Sequence, residues 1–169
     1  MRKIATLFFS GLAFLGVAAI GCNGYDQETF TATLNGASEV PATAVTTTGT
    51  FSIVFDGPAA KYTLTTNGLV GVTAAHIHTG AAGATGSPMV YLFDTPTAGW
   101  QDFASGANIG VGSFTQDMVA ACTPGCQATT GVTPTRTYDN ILAGAQTGTV
   151  YVNIHTLTNT GGAIRGQIQ

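Results

Sequence analysis

Short segments in which apolar and polar residues alternate constrain the fold of this chain more than any other feature. Residues 150–155 read Val-Tyr-Val-Asn-Ile-His, with an aliphatic side chain at every second position. Successive side chains of a β-strand point to opposite faces, whereas an amphipathic helix repeats its apolar residues about every 3.6 positions. The segment therefore predicts a strand with one aliphatic face and one polar face.

The same pattern predicts eight strands along the chain. They lie near 30–34, 48–55, 61–66, 73–78, 89–93, 108–115, 148–156 and 163–169. Asp56-Gly57-Pro58 and Asn67-Gly68 indicate hairpin turns, and Asn-Thr-Gly-Gly at 159–162 joins the last two strands. No helical pattern is apparent after the N-terminal segment. The expected fold is all-β, a single antiparallel domain of the Greek-key-like sandwich or barrel type.

The N-terminal segment has the pattern of an export signal. Arg2 and Lys3 precede an apolar stretch at 4–20 that ends in small residues before Cys22. A charged start followed by an apolar run is typical of a secretory signal peptide. The end of the stretch resembles a bacterial lipobox in which Ala19 replaces the usual leucine. We expect a lipoprotein-type signal peptide at 1–21, a short tether at 22–29 and the β domain at 30–169.

Three outcomes of this signal are open. Cys22 can carry a lipid, an ordinary cleavage can occur nearby, or the stretch can remain as an anchor, since roughly 17–25 apolar residues span a membrane. All three predict an exported protein. Lipidation is the interpretation we adopt, and it makes the membrane a partner through Cys22 and places the domain in the periplasm or at the cell surface.

The two remaining cysteines, Cys122 and Cys126, are separated by Thr-Pro-Gly. Pro-Gly is a strong turn signal, and an oxidising compartment favours a disulfide across such a turn. The alternative is that the two thiolates bind a metal.

The charge of the chain argues against nucleic acid as a partner. Two of its five basic residues, Arg2 and Lys3, lie in the signal, which leaves Lys61, Arg136 and Arg165 against eight acidic residues. Binding of nucleic acid depends on lysine and arginine to neutralise phosphates. A protein partner remains possible but is not identified by the sequence, and neither is the oligomeric state.

All three histidines of the chain lie on predicted strands. His76 and His78 share one strand face, and His155 lies on the polar face of the 150–155 segment. Imidazole suits zinc, copper, iron and nickel, and three histidines with one open position are typical of a catalytic metal. The pattern favours a metal site at these residues. The alternative is structural, with each histidine capping a strand end or bonding a backbone carbonyl.

Four motifs in fixed order resemble the CHRD domain, which is named after chordin. They are Glu39-Val-Pro, Ala75-His-Ile-His, Asn153-Ile-His-Thr and Ile164-Arg-Gly-Gln, and the resemblance extends over about 30–169. It implies an all-β domain that is extracellular or on the cell surface. It indicates fold and location more clearly than it indicates an activity.

A more distant resemblance is to copper/zinc superoxide dismutase. That family also places a His-x-His pair on one strand, another copper ligand on a late strand, and a later arginine that guides anions. The resemblance implies that His76, His78 and His155 bind copper, with zinc as the alternative, and that Arg165 guides an anion. The sequence departs from the family in having no fourth histidine and no cluster for a zinc ion. Dismutase activity is therefore not the expectation, and no catalytic residue is assigned.

Arg165 and Glu39 are candidates for supporting roles. Alternation places Arg165 on the imidazole side of the last strand. It could attract an anion, but a structural ion pair with Glu39 is the preferred interpretation because other cations are few. Glu39 could instead be a fourth ligand, orient a histidine N–H or bond neighbouring backbone.

Two functions follow. The first is an exported domain with a mononuclear, copper-like site of three histidines. The second is a non-enzymatic adhesion or protein-interaction module in which the histidines are structural.

Overall fold

The computed structural model describes residues 27–94, 101–115 and 138–169, in which eight antiparallel strands form two four-stranded sheets. The strands are β1 (Glu28–Leu34), β2 (Gly49–Asp56), β3 (Ala59–Asn67), β4 (Val72–Thr79), β5 (Pro88–Asp94), β6 (Ser105–Thr115), β7 (Val150–Thr156) and β8 (Ile164–Gln167). The first sheet has the order β1-β2-β3-β6 and the second has the order β5-β4-β7-β8. The predicted all-β sandwich is confirmed.

The chain crosses between the sheets in Greek-key fashion. Strands β4, β5 and β6 follow one another, and β7 returns to pair with β4. The spatial order β7-β4-β5-β6 is that of a Greek key. Strands β5 and β6 belong to different sheets and lie in contact, since a Cβ at Gly110 would be 3.2 Å from the Leu92 carbonyl oxygen. The turn at Asp56-Gly57-Pro58 joins β2 and β3 as a hairpin, and Gly57 has a φ of 59°.

The hairpin predicted at Asn67-Gly68 is wrong. Strand β3 pairs with β2 and β6, whereas β4 lies in the other sheet. Gly68 has a φ of 93°, so the glycine does serve a turn. That turn directs the chain across the sandwich instead of back along β3.

The expectation of no helix after the N-terminal segment is also wrong. A short 3₁₀ helix spans Gly36–Ser38, and helix α1 spans Tyr138–Thr147. Its buried residues, Tyr138, Ile141, Gly144 and Ala145, have helical spacing. Gly144 permits the helix to approach β7, since a Cβ there would overlap a methyl group of Val150.

The core lies between the sheets and is aliphatic and aromatic. Leu34, Phe51, Ile53 and Leu64 enter it from the first sheet, and Ile77, Val152, Ile154 and Ile164 enter it from the second. The second sheet therefore turns its polar residues away from the core, as the alternation predicted.

That polar face is nevertheless buried. The strand register sets His76, Asn153 and Arg165 in one row across β4, β7 and β8, and it sets His78, Tyr151 and Gln167 in the next row. The loop between β4 and β5, residues 80–87, lies over these rows and is named here the covering loop. The segment 35–41 begins at the edge of this sheet, where the backbone of Asn35 pairs with that of Arg165.

At Gly166, β8 lies close to the backbone of β1. A Cβ at this position would lie 2.6 Å from the carbonyl oxygen of Thr33. Because that neighbour is backbone, we expect Gly166→Ala to lower the free energy of unfolding by about 1–3 kcal/mol, measured by urea denaturation. Gly161→Ala, with no atom within 4 Å of its Cβ, is the matched control. Equal stability of the two variants would contradict the close approach.

Several sequence predictions concern parts of the chain outside the described residues. They are the signal peptide at 1–21, lipid attachment at Cys22, and the disulfide between Cys122 and Cys126. Among the residues that are described, no helix has the length and apolar character needed to cross a membrane.

Candidate metal centre

The structure brings the three histidines together. One ring nitrogen from each of His76, His78 and His155 can be chosen such that all three lie within 4.8 Å of one another. Nδ1 of His76 is 3.1 Å from Nε2 of His155. Two nitrogens bound to one ion at about 2.0–2.1 Å are roughly 3 Å apart when they are neighbours and roughly 4 Å apart when they are opposite. Small side-chain movements would therefore suffice to close the set on one ion.

The pairing of β4 with β7 produces this convergence. Ala74 lies opposite His155, and His76 lies opposite Asn153, so His155 and His76 are diagonal neighbours on one face. His78 is two residues further along β4, and its ring centroid is 6.1 Å from that of His155. A shift of one residue in the pairing would turn His155 toward the core.

Backbone carbonyls orient two of the rings. Nδ1 of His78 is 3.0 Å from the Gly86 carbonyl oxygen, and Nδ1 of His155 is 2.9 Å from that of Thr160. A carbonyl oxygen only accepts hydrogen bonds, so both Nδ1 atoms donate. Nε2 of His78 then keeps a free lone pair, whereas Nε2 of His155 accepts from Nδ1 of His76 at 3.1 Å. Metal-bound histidines are commonly held in this way, with the second nitrogen donating to a carbonyl.

Four buried polar atoms on this face have no hydrogen-bond partner. They are Nε2 of His76, Nε2 of His78, Oε1 of Glu39 and Oδ1 of Asn153. Buried polar atoms without a partner are rare in folded proteins and often mark an ion or a water molecule. Two of the four belong to the histidine cluster.

The electrostatics keep the three imidazoles neutral. Burial lowers the pKa of His76 to about 3, and the neighbouring His155 and His78 act in the same direction. Burial lowers the pKa of His78 to about 4 against the opposing hydrogen bond to Gly86. Burial also lowers the pKa of His155. At neutral pH all three rings therefore offer lone pairs and no charge.

Arg165 does not form the ion pair that was expected from the sequence. In the described part of the chain no ion pair within 4 Å joins it to Glu39. Its guanidinium instead donates to the carbonyl oxygens of Ala84 and Ala81, at 2.7 and 2.9 Å, and lies 3.3 Å from the centre of the Tyr151 ring. The side chain is 1% exposed, so its donors are directed at the covering loop.

Glu39 is buried beside the cluster but is not part of it. The group of residues with ligand atoms in reach of one another consists of the histidines alone among the described residues. Burial raises the pKa of Glu39, while the charge of Arg165 and hydrogen bonds from Val40 and Asn153 act in the opposite direction. The carboxylate packs against Gly162, where a Cβ would overlap it.

Sequence reasoning assigned no role to three residues of the site. Tyr151 stacks on His78 with ring centroids 5.0 Å apart, and Tyr91 meets His76 edge-on at 4.2 Å. Asn153 lies between His76 and Arg165 in the register. Alternation already placed Tyr151 and Asn153 on the face of His155, so that signal could have identified them. The position of Tyr91 beside His76 depends on the pairing of β5 with β4.

Comparison with known proteins gives one match. A family model described as the CHRD domain matches residues 30–168. No curated protein matches the chain, and no solved structure matches it.

Proposed function

The chain belongs to the CHRD domain family, and from this premise we propose that it is an exported domain that binds one copper ion through His76, His78 and His155. The observation that carries the proposal is a cluster of three neutral imidazoles, two buried and one partly exposed, in which Nε2 of His76 and Nε2 of His78 have no hydrogen-bond partner. A cation held by Nε2 of His76 and Nε2 of His78 would give those lone pairs a partner, and Nε2 of His155 would bind it in place of its contact with Nδ1 of His76.

The donor set supports copper over zinc. Three imidazoles without a thiolate or carboxylate form a site of intermediate softness, and nitrogen sites generally bind Cu²⁺ more tightly than Zn²⁺. The His-x-His spacing shared with copper/zinc superoxide dismutase also supports this choice. Zinc is the alternative metal, and competition between the two ions distinguishes them.

We propose binding without dismutation as the primary role. A bound copper ion can supply one-electron redox chemistry, and the partial exposure of His155 leaves an approach for a small oxidant. However, the guanidinium of Arg165 is engaged with two carbonyls and is 1% exposed. It is poorly placed to guide an anion to the histidines.

The proposed location rests on the first 22 residues. A signal peptide with lipid attached at Cys22 would tether the domain to a membrane, in the periplasm or at the cell surface. Only five residues, 23–27, separate Cys22 from β1. The domain would therefore lie close to the membrane surface.

A copper titration tests the proposal. We expect the purified protein, freed of metal by a chelator, to bind one equivalent of copper per chain in the presence of a competing indicator. Equimolar zinc should displace little of it. Absence of copper binding by folded protein would contradict the proposal. Displacement of the bound copper by equimolar zinc would assign the site to zinc instead.

The alternative function is a non-enzymatic adhesion or protein-interaction module. The observation in its favour is that His78 and His155 already bond backbone carbonyls, as structural histidines do. The two orphaned Nε2 atoms are not explained by that role. A domain that binds no metal and loses stability when a histidine is removed would support this alternative.

A further inference from the structure

We propose that Arg165 is a positioning residue for the three-histidine site, which holds the covering loop against the sheet and thereby fixes the ring of His78. The consequence for copper rests on the proposed function. The positioning itself is a property of the metal-free chain. It replaces the anion-guiding role that the sequence suggested.

The first link joins Arg165 to the covering loop. Its two terminal nitrogens donate to the carbonyl oxygens of Ala84 and Ala81, at 2.7 and 2.9 Å. The planar guanidinium can serve two acceptors at once, which the single ammonium group of lysine cannot do in the same geometry. The neighbouring Gln167 donates to the Gly80 carbonyl at 2.9 Å and adds a third attachment of the loop.

The second link joins Arg165 to Tyr151. The guanidinium carbon lies 3.3 Å from the centre of the Tyr151 ring, a short cation–π contact. Strand β7 runs between β8 and β4, so Tyr151 has Arg165 on one side and His78 on the other. The rings of Tyr151 and His78 are nearly parallel, at 11°, with centroids 5.0 Å apart. The three side chains thus form one stack across the sheet.

Gly86 connects the two links. Its N–H donates to the hydroxyl of Tyr151 at 3.3 Å, and its carbonyl oxygen accepts from Nδ1 of His78 at 3.0 Å. The loop passes so close to Thr79 here that a Cβ on Gly86 would overlap the Thr79 carbonyl oxygen. The covering loop, Tyr151 and His78 therefore each contact the other two, and Arg165 contacts both the loop and Tyr151.

These contacts determine which ring nitrogen of His78 keeps a free lone pair. While the Gly86 carbonyl holds the Nδ1 proton, Nε2 keeps its lone pair for a metal. If Arg165 is shortened, the loop loses two attachments and the ring loses part of its stack. His78 can then exchange its proton with solvent and populate the other tautomer.

The test is NMR of the metal-free protein with labelled histidine nitrogens. In the parent we expect His78 to be in the Nδ1–H form, with slow exchange of that proton. In Arg165→Gln and Arg165→Lys we expect a mixture of tautomers and exchange at least about tenfold faster, since the loop contacts that protect the proton are lost. Ile53→Val, a buried change in the other sheet, is the control for general destabilisation and should keep the parent's tautomer.

Copper titration of the same variants gives the second readout. Outer partners of metal ligands typically contribute about 10–100-fold to metal affinity, and we expect both Arg165 variants to weaken copper binding by that factor. If the Arg165 variants do not fold, Tyr151→Phe replaces them. It keeps the ring stack, removes the acceptor for the Gly86 N–H, and should still speed exchange of the His78 proton severalfold.

An unchanged His78 tautomer and exchange rate in a folded Arg165→Gln protein would overturn the proposal. It would also be overturned if Ile53→Val changed the tautomer and the exchange rate as much as the Arg165 variants do. The same holds for Tyr151→Phe if that variant leaves the exchange rate unchanged. A parent that binds no copper would contradict the proposed function, while the NMR result would still decide the role of Arg165.

Discussion

Replacement of both His76 and His155 by alanine is expected to abolish copper binding and to leave the fold intact. The two residues supply two of the three donor nitrogens. Nδ1 of His76 lies 3.1 Å from Nε2 of His155. Outer partners alone contribute about 10–100-fold to metal affinity. Loss of two ligands should therefore weaken binding by well over about a hundredfold, which a competition titration would report as no binding.

The stability of this variant distinguishes a metal site from structural histidines. Both rings lie on the polar face of the second sheet, away from the core between the sheets. Their removal leaves a cavity, but it also removes a buried nitrogen on His76 that has no partner, and such atoms are costly to bury. We expect the two effects to offset each other largely in the metal-free protein.

Val111→Ala provides a matched control for the histidine variant. Val111 is exposed, on β6 of the opposite sheet, and its replacement should leave one equivalent of copper bound. Circular dichroism and urea unfolding check the fold of all three proteins. A double histidine variant that unfolds, or one that binds copper as tightly as the parent, would contradict the assignment of the ligands.

The second large effect expected is acid destabilisation of the metal-free protein between about pH 6.5 and pH 3. Burial lowers the pKa of His76 to about 3 and that of His78 to about 4 in the folded chain, whereas the unfolded chain has ordinary histidine values near 6.5. The unfolded state therefore binds more protons throughout this window. Stability falls as the pH decreases and levels off below about pH 3.

The size of the effect follows from the pKa shifts. One pKa unit corresponds to about 1.4 kcal/mol, so the two histidines together give a loss on the order of several kcal/mol. Glu39 acts in the opposite direction, because burial raises its pKa and the folded state retains that proton as the pH rises.

Urea unfolding at a series of pH values, with a chelator present, measures this dependence. The His76→Ala, His155→Ala protein should show a shallower loss between pH 6.5 and pH 4, since it lacks two of the three histidines whose pKa burial lowers. A parent whose unfolding free energy is flat across this range would show that the imidazoles are not buried as described.

The strands were predictable from the sequence because one face of each strand is buried in the core, so apolar and polar residues alternate along it. Val150, Val152 and Ile154 alternate with polar residues since each points into the core, and the observed β7 begins and ends within two residues of the prediction. Helix α1 was missed although Tyr138, Ile141 and Ala145 have helical spacing. The segment is short and rich in small residues, and its helical form depends on packing against Val150.

The three histidines could be placed on one face from alternation, but their supporting contacts could not. The role of Asn67-Gly68 depends on which sheet receives the next strand, and a local turn signal does not carry that information. In the same way, alternation placed Arg165 on one side of the sheet, and few other cations are present in the chain. It did not reveal that the covering loop would present the Ala81 and Ala84 carbonyls to it.

Diffraction from crystals of the copper-loaded protein at the copper absorption edge would show whether the three histidines bind one copper ion. We expect one anomalous peak per chain, within bonding distance of ring nitrogens from His76, His78 and His155. A peak at another position, such as beside Cys122 and Cys126, would contradict it, and so would a histidine cluster without a peak in crystals that contain copper.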